Sequence, residues 1–391
     1  MNREPTRRQN VTSPPGGVDL SSVPLLGSRV ADHYEVFEVN EGGFGWVLGV
    51  ADIYSGERLA VKIPKQSDQA ASVDEFAAEV AIWVELDPHP NIVTARFVHA
   101  VRGGPGLFMD FVEGASFRSL RELLNIRSRL PEETAISFGH QICRGMKFAN
   151  RDREVVHLDL KPENLLIEDG TLLKITDFGL AHRVRIVGGT YERRYAGSWP
   201  YSAPERFRKE PCDTRTDMFS VGIIFYEMLT GELPYPFALS SEPADAYAQL
   251  AEFHKKDGME KIVDDLYHSG LPGLGSHTTE LLSTCLHPTR AERPMHFRTA
   301  EALFAELAGK KPPKDKEEIE CSPHDPLSRI GALQAVGDHA AALTMLNKLL
   351  VKEPGNGDYY LAAARSLAMT GQERVAEDFR RRARALGTKH G

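Results

Sequence analysis

Apolar residues form short, β-branched runs near the start of the chain and fall into helical spacing further on. Three runs between positions 33 and 64 are separated by Gly-rich and Ser-Gly breaks, which predicts a three-stranded antiparallel meander. From Val73 to Leu86, apolar residues recur on one helix face, and acidic residues come early, where the helix dipole favours them. The predicted strands are 34–39, 46–53 and 58–63. The pattern therefore predicts a small β-rich unit followed by a helix.

Beyond Gly114 the pattern is mostly helical. The sequence Pro131-Glu132-Glu133 opens a helix that runs towards Asn150, and proline suits the first turn of a helix. A second apolar helix is predicted from Asp217 to Thr230, and Gly231 ends it. A larger helical unit therefore follows the β-rich one.

Two stretches rich in proline and polar residues are predicted to lie outside the packed units. Residues 1–28 are interpreted as a disordered lead-in. The charged, proline-containing stretch between Gly309 and Pro326 is interpreted as a linker.

After this linker the chain repeats itself with a period of 34 residues. Gly337 and Gly371 are separated by this period, and so are Ala342 and Ala376. A period of this length with small residues at these places resembles the tetratricopeptide helix-turn-helix repeat. Because there are only two units, a generic amphipathic helical hairpin remains the alternative.

Composition and charge narrow the class of protein. At 391 residues, with 41% hydrophobic and 26% charged residues, the chain suits a soluble protein of two or three domains. The net charge of −8 gives no whole-chain argument for nucleic acid or an anionic membrane as partner. The four cysteines form no Cys-x-x-Cys pair, so we expect reduced thiols in a cytoplasmic protein rather than zinc or disulfides. No apolar run approaches the ~18–20 residues that span a bilayer, and the polar start does not suggest a secretory signal.

The strongest chemical signal is the sequence His157-Leu158-Asp159-Leu160-Lys161-Pro162-Glu163-Asn164, with Asp177-Phe178-Gly179 following it. Phosphoryl transfer needs a carboxylate at the attacking hydroxyl, a cation on the moving phosphate, and oxygen ligands for magnesium. One short stretch supplies all of these groups, through Asp159, Lys161, Asn164 and Asp177.

This stretch resembles the catalytic loop and metal-binding turn of protein kinases, whose motifs read H-R-D-L-x-x-x-N and D-F-G. The resemblance implies that Asp159 accepts or orients the proton of the substrate hydroxyl and that Lys161 neutralises the transferring phosphate. It also implies that Asn164 and Asp177 hold Mg²⁺. Lysine at position 161 is similar to the serine/threonine branch of the family rather than the tyrosine branch.

Three further segments resemble the nucleotide-binding parts of the family. Residues 40–47 resemble the glycine-rich loop, except that Asn40 replaces the first glycine; asparagine tolerates a left-handed backbone. Residues 59–62 resemble the V-A-I-K motif, and Lys62, which is costly to bury alone, would pair with ATP phosphates and with Glu79 on the following helix. Residues 107–114 resemble the hinge.

These resemblances imply a nucleotide pocket with a roof, a back wall and a floor. Val47 and Ala60 would form the apolar roof, and Leu166 would form the floor. Met109 would be the gatekeeper at the back. The backbones of Asp110 and Val112 would hydrogen-bond the adenine edge. The implied pocket residues are Gly42, Gly43, Phe44, Gly45, Val47, Ala60, Lys62, Met109, Asp110, Val112, Asn164, Leu166 and Asp177.

The segment 197–205 resembles the end of a kinase activation segment, G-T-x-x-Y-x-A-P-E. The resemblance implies that Ser198 lies near the catalytic residues and that Glu205 forms a buried ion pair with Arg293. Asp217 and Gly222 match a D-x-W-S-x-G pattern whose role is to brace the catalytic loop.

One position departs from the family pattern in a way that bears on regulation. Leu158 stands where most kinases have the arginine that grips a phosphorylated residue of the activation segment, and a leucine has neither charge nor hydrogen-bond donors. Our hypothesis is that activity does not depend on phosphate docking at this position.

The sequence therefore predicts an α+β, bilobal protein kinase fold, with a small antiparallel β lobe at 29–110 and a large helical lobe at 111–310. A linker at 311–324 and two all-α, tetratricopeptide-like helical hairpins at 325–391 follow. An ATP- and Mg²⁺-dependent serine/threonine protein kinase is the predicted function, similar to bacterial enzymes that pair the two parts. The alternatives are a pseudokinase that serves as a scaffold and a small-molecule phosphotransferase, against which Ala203-Pro204-Glu205 argues. The repeats are expected to bind a protein partner, self-associate or pack on the large lobe.

Overall fold

The computed structural model describes residues 26–41, 45–64, 76, 80–101, 104–114, 118–151, 155–178, 182–183, 199–309, 326–335 and 339–388. The small lobe is built on a six-stranded antiparallel sheet with the order β1-β2-β3-β4-β6-β5. Its strands are β1 (Arg29–Val30), β2 (Tyr34–Glu41), β3 (Gly45–Asp52), β4 (Arg58–Pro64), β5 (Ala95–Val101) and β6 (Gly104–Asp110). The predicted lead-in lies outside the described residues except at its end.

The three-stranded meander expected from the sequence is confirmed as β2, β3 and β4. Gly45 begins β3 opposite Pro64, where a Cβ atom would lie 2.2 Å from the carbonyl oxygen of Ile63. Only glycine allows so close an approach of two backbones. Asn40 pairs with Val47 inside the sheet and has no positive φ, so the left-handed turn that we considered for it does not form.

The two faces of the sheet serve different purposes. One face carries its own small core, in which Val36, Leu48, Val50 and Val61 are buried. The other face belongs to the main core, together with the helical residues 80–85 (α1), among which Trp83 is buried. The indole nitrogen of Trp83 donates a hydrogen bond to the carbonyl of Val93 at 2.7 Å, so α1 is fixed to the segment that leads into β5.

The large lobe is mostly helical. Its helices are α2 (Leu120–Arg127), α3 (Glu132–Arg151), α4 (Pro204–Phe207), α5 (Thr214–Thr230), α6 (Pro243–Lys255), α7 (Gly258–Ser269), α8 (Ser276–Cys285) and α9 (Phe297–Leu307). Two short antiparallel strand pairs frame the catalytic loop: β7 (Val155–Val156) pairs with β10 (His182–Arg183), and β8 (Leu165–Glu168) forms a hairpin with β9 (Leu172–Ile175). The antiparallel sheet lobe and the helical lobe together match the predicted bilobal fold.

Helix α5 runs through the centre of the large lobe and is buried on all sides. It begins three residues earlier than the apolar pattern suggested, because Asp213 caps its first turn in a reciprocal capping box with Thr216. It ends at Gly231, which has the left-handed backbone that favours glycine at this place. The burial brings Asp217, in the first turn of α5, into the interior.

The C-terminal residues form four helices, α10 (Pro326–Ala335), α11 (His339–Lys352), α12 (Gly357–Met369) and α13 (Glu373–Leu386). Ala342, Ala364, Ala376 and Ala383 are almost completely buried, so the helices approach closely where the sequence places small residues. The predicted linker lies outside the described residues. In the described parts of the chain, no helix is both long and apolar enough to cross a membrane.

Helix α10 lies against β5, the edge strand of the small lobe. Ile330 and Leu333 of α10 have no exposed surface and join the same buried cluster as Trp83 and Val84 of α1. One of our alternatives was packing on the large lobe; the structure places this contact on the small lobe instead. A strand edge attracts unwanted pairing unless it is protected, and α10 is the C-terminal helix that contacts this strand.

The contact between α10 and the small lobe should support the sheet. We expect Leu333→Ala to lower the free energy of unfolding by about 2–5 kcal/mol and to speed amide exchange in residues 95–101. The matched variant is Leu367→Ala, because Leu367 is buried in a separate small cluster with Ala364 and Ala376. It should leave exchange in β5 unchanged. Equal exchange in β5 for both variants would contradict the prediction, and hydrogen–deuterium exchange of the full chain measures it.

Candidate active site

The predicted catalytic carboxylate is held by its neighbours in the chain. Asp159 lies between β7 and a single turn of 3₁₀ helix at Pro162–Asn164 and is 5% exposed. The Lys161 Nζ atom is 2.9 Å from its Oδ2 atom. The Asn164 side-chain amide donates to the Asp159 carbonyl at 2.8 Å and to Oδ2 at 3.1 Å. Asp159, Lys161 and Asn164 therefore come together as the sequence predicts.

A second buried carboxylate, that of Asp217, holds this loop through hydrogen bonds to its backbone. Asp217 accepts the backbone amide of His157 at 2.7 Å and that of Leu158 at 2.8 Å. Burial raises the pKa of Asp217 to about 7, although the two amide hydrogen bonds act in the opposite direction. Leu158 has φ of 63°, a left-handed conformation that is uncommon for a residue with a side chain. The loop is thus held in a bent shape that its own residues do not favour.

His157 connects the catalytic loop to the turn that carries Asp177. Its Nδ1 atom accepts the amide of Asp159 at 3.2 Å, and its Nε2 atom lies 3.1 Å from the carbonyl of Thr176. These partners place the ring proton on Nε2. Burial lowers the pKa of His157, so the ring stays neutral, and it lies 4.7 Å from the ring of Phe178.

Lys62 of β4 reaches across the cleft to the large lobe. Its Nζ atom is 2.8 Å from the Oδ1 atom of Asp177, and its side chain is 7% exposed. Burial alone would raise the pKa of Asp177, but the attraction and hydrogen bond of Lys62 outweigh it and lower the pKa. The Asp177 carboxylate therefore stays charged. Glu79, the predicted helix partner of Lys62, lies outside the described residues.

Strands β3, β4, β6 and β8 carry the predicted pocket residues Val47, Ala60, Met109 and Leu166. Val47 is opposite Lys62 in the sheet, and Ala60 is opposite Met109, which is 4% exposed. Leu166 lies on β8 and forms an isolated bridge with Ser119. Gly42, Gly43 and Phe44 lie outside the described residues.

Two residues of the predicted hinge, Asp110 and Val112, are held by contacts within the protein. The amide of Asp110 donates to the carbonyl of Thr94 at 3.0 Å, and its carboxylate pairs with Arg96. Val112 is buried. The Asp110 side chain is thus engaged with the small lobe, so any contact of residue 110 with a nucleotide would use the backbone carbonyl.

The donor set at Asn164 and Asp177 suits a magnesium ion. The hydrogen bonds from Asn164 to Asp159 use its side-chain nitrogen, which leaves the amide oxygen for a cation. The backbone amide of Thr176 donates to the backbone carbonyl of Asn164 at 3.0 Å, so the chain segments that carry Asn164 and Asp177 are adjacent. Mg²⁺ prefers oxygen ligands and commonly takes one or two protein groups together with phosphate and water.

The predicted pair of Glu205 and Arg293 is confirmed as a fully buried ion pair. The guanidinium makes bonds of 2.9 Å and 3.0 Å to the two carboxylate oxygens and lies 4.9 Å from the centre of the Phe219 ring. Thr216 donates a further hydrogen bond to Glu205 at 2.9 Å. The ion pair ties the segment 199–207 to Arg293, and the Thr216 hydrogen bond ties it to α5. Ser198 lies outside the described residues.

Two arginines that the sequence analysis did not identify contribute to the site. Arg121 of α2 bonds to Glu163 at 2.8 Å and to Glu227 at 2.7 Å, and so links the catalytic loop to α5. Arg206 of α4 donates to the carbonyl of Leu158 at 2.7 Å. All three contacts join residues 42 or more positions apart, and no local motif signals them.

Comparison with known proteins agrees with this geometry. Residues 35–305 match the family model for the protein kinase domain, so the chain belongs to the protein kinase family. A probable serine/threonine-protein kinase PknB of Lactococcus lactis is 28% identical over 243 residues, which cover 61% of this chain and 37% of that protein. PknA of Corynebacterium glutamicum is 27% identical over 293 residues, covering 73% and 58%. Serine/threonine-protein kinase VIK of Arabidopsis thaliana is 33% identical over 251 residues, covering 62% and 52%.

The chain thus spans between about a third and three fifths of the length of these curated relatives. The residues that match the family model, 35–305, form the two lobes. The C-terminal helices α10 to α13 lie beyond the residues that match the family model.

Breaking the buried ion pair should be far more costly than breaking an exposed one. We expect Arg293→Met to lower the free energy of unfolding by about 3–5 kcal/mol, because Glu205 would be left charged and buried. The control is Asp378→Asn, since the Asp378–Arg381 pair is 66% and 76% exposed and should contribute about 0–1 kcal/mol. Urea unfolding of the full chain measures both, and similar losses for the two variants would contradict the prediction.

Proposed function

We propose that the chain is an active serine/threonine protein kinase that transfers the γ-phosphoryl group of ATP, with Mg²⁺, to hydroxyl groups of proteins. The observation that carries this proposal is the Asp159 carboxylate, held by Lys161 and Asn164 beside the Lys62–Asp177 pair. A phosphoryl-transfer site needs these groups and little other covalent chemistry.

In this proposal each charged group has one task. Asp159 orients the substrate hydroxyl and accepts its proton, and Lys161, 2.9 Å from it, neutralises charge on the transferring phosphoryl group. Lys62 contacts the phosphates of ATP from the small lobe. Asn164 and Asp177 would hold Mg²⁺, which supplies charge neutralisation at the phosphate oxygens when it is bound.

The choice of serine and threonine hydroxyls rests on the catalytic loop and on the relatives. Lysine at position 161, within Asp-Leu-Lys-Pro-Glu-Asn, is typical of the serine/threonine branch. The relatives described above carry serine/threonine-protein kinase names. The Ala203-Pro204-Glu205 segment, fixed by Arg293, favours a protein substrate over a small molecule.

We propose further that phosphate docking at position 158 does not gate activity. The side chain of Leu158 is 6% exposed and offers no hydrogen-bond donor to a phosphate. The loop around it is held by Asp217 instead. Residues 184–198, which carry Thr190 and Tyr191, lie outside the described residues.

The C-terminal helices are proposed to be two tetratricopeptide-like repeats that bind a protein partner or a second copy of the chain. Their support is the 34-residue period and the four successive helices with buried small residues at matching places. Because α10 lies against β5, a partner of the repeats would also be linked to the small lobe.

A pseudokinase remains the second candidate, because Asn40 replaces the first glycine of the loop over the phosphates. In the structure Asn40 is paired with Val47 in regular sheet, and its side chain donates to Glu38 at 2.7 Å. The residue is therefore accommodated without strain, which favours the active kinase over the pseudokinase.

The two candidates differ in the effect of one substitution. We expect Asp159→Asn to reduce phosphoryl transfer to a generic basic protein by about 10²–10⁴-fold, because the proton acceptor is lost. The control is Asp169→Asn in the exposed β8–β9 turn, where φ of 51° also suits asparagine. Radiolabelled ATP measures the transfer. A wild-type protein that binds ATP yet transfers no more phosphate than Asp159→Asn would support the pseudokinase instead.

A further inference from the structure

The carbonyl oxygen of Leu158 accepts a hydrogen bond from outside the catalytic loop. The Arg206 Nη1 atom donates to it at 2.7 Å and to the Ser202 hydroxyl at 2.9 Å. Arg206 lies in α4, which directly follows Ala203, and its side chain is half-buried. The loop residue next to Asp159 is thus contacted by the segment that would receive the substrate.

Leu158 needs such contacts because its backbone is unfavourable by itself. Its φ of 63° is left-handed, and a residue with a side chain holds this conformation only when its surroundings impose it. Asp217 accepts the Leu158 amide at 2.8 Å, and Arg206 binds the carbonyl of the same residue. Together they bind both the backbone amide and the backbone carbonyl of Leu158.

The backbone segment that carries Arg206 is held in place by buried contacts. The preceding residue, Glu205, is locked by the buried Arg293 and by Thr216. The guanidinium also bonds to Ser202, one helical turn earlier, which restricts its position further. A hydrogen bond from a charged donor to a carbonyl is stronger than one between neutral groups. The contact can therefore transmit the position of α4 to the catalytic loop.

We propose that Arg206 is a positioning residue, which fixes the loop at Leu158 and so aligns Asp159 with the segment 199–207. The arginine does not touch a reacting atom; it acts through the Leu158 backbone. The hydrogen bond between Arg206 and the Leu158 carbonyl requires no phosphate. The guanidinium contributes the charge and the hydrogen-bond donor that the Leu158 side chain lacks. This inference rests on the proposed role of Asp159 as the catalytic carboxylate.

The test compares steady-state kinetics of full-length variants after phosphatase treatment. We expect Arg206→Met to lower kcat by about 10–100-fold, because small misalignments of a catalytic group have effects of this size. The KM for ATP should stay within about twofold, since the nucleotide side does not involve Arg206. Arg206→Lys should recover part of the loss, because an ammonium group can still donate to the Leu158 carbonyl. Arg208→Met, an exposed arginine two residues later, should behave as wild type.

Hydrogen exchange in residues 157–161 provides a second readout, which should rise in Arg206→Met and not in Arg208→Met. If Arg206→Met does not fold, the partial loss in Arg206→Lys carries the test. A kcat within about twofold of wild type for folded Arg206→Met, or an equal loss in Arg208→Met, would overturn the inference. A collapse of wild-type activity on phosphatase treatment would overturn it as well. If instead Asp159→Asn is as active as wild type, the proposed function fails rather than the role of Arg206.

Discussion

The buried carboxylate of Asp217 is the group on which the rest of the site depends. It accepts the amides of His157 and Leu158, and so holds the catalytic loop in a left-handed bend that the chain would otherwise avoid. Burying a charged group is costly unless hydrogen bonds compensate it, and here the compensation comes from the loop itself. Because α5 is buried on all sides, the carboxylate has a fixed position from which to act. The location of Asp159 therefore follows from the core of the large lobe.

Contacts across the cleft also fix the site to the small lobe. The ring of Phe178 lies between His157 of the catalytic loop and Trp83 of α1, with ring centres 4.7 Å and 5.6 Å apart. Lys62 reaches Asp177, the residue before Phe178, from β4. Packing and charge thus both couple the lobes at the turn after β9. In the small lobe α10 contacts β5 and shares a buried cluster with α1, so this C-terminal helix belongs to the same packed arrangement.

The sequence was sufficient for the parts of the site whose chemistry is local. Asp159, Lys161 and Asn164 are close in the chain, so their spacing already implies a shared loop, and the bilobal fold followed from motifs in the expected order. The buried pair of Glu205 and Arg293 could be predicted only through the family resemblance. Arg121, Arg206 and the docking of α10 on β5 could not be predicted, because each is a tertiary contact between distant segments with no periodic or motif signal. The early start of α5 was missed because capping by Asp213 outweighed the apolar pattern.

The most direct test of this account is the initial rate of γ-phosphoryl transfer by Asp217→Asn protein that has been shown to be folded. An asparagine would replace one of the two acceptor oxygens by an NH₂ donor that faces a backbone N–H, so one hydrogen bond to the loop would be lost. The account predicts a rate at least about 100-fold below that of wild type, with ATP affinity little changed. A folded variant that transfers phosphate within about threefold of the wild-type rate would contradict it.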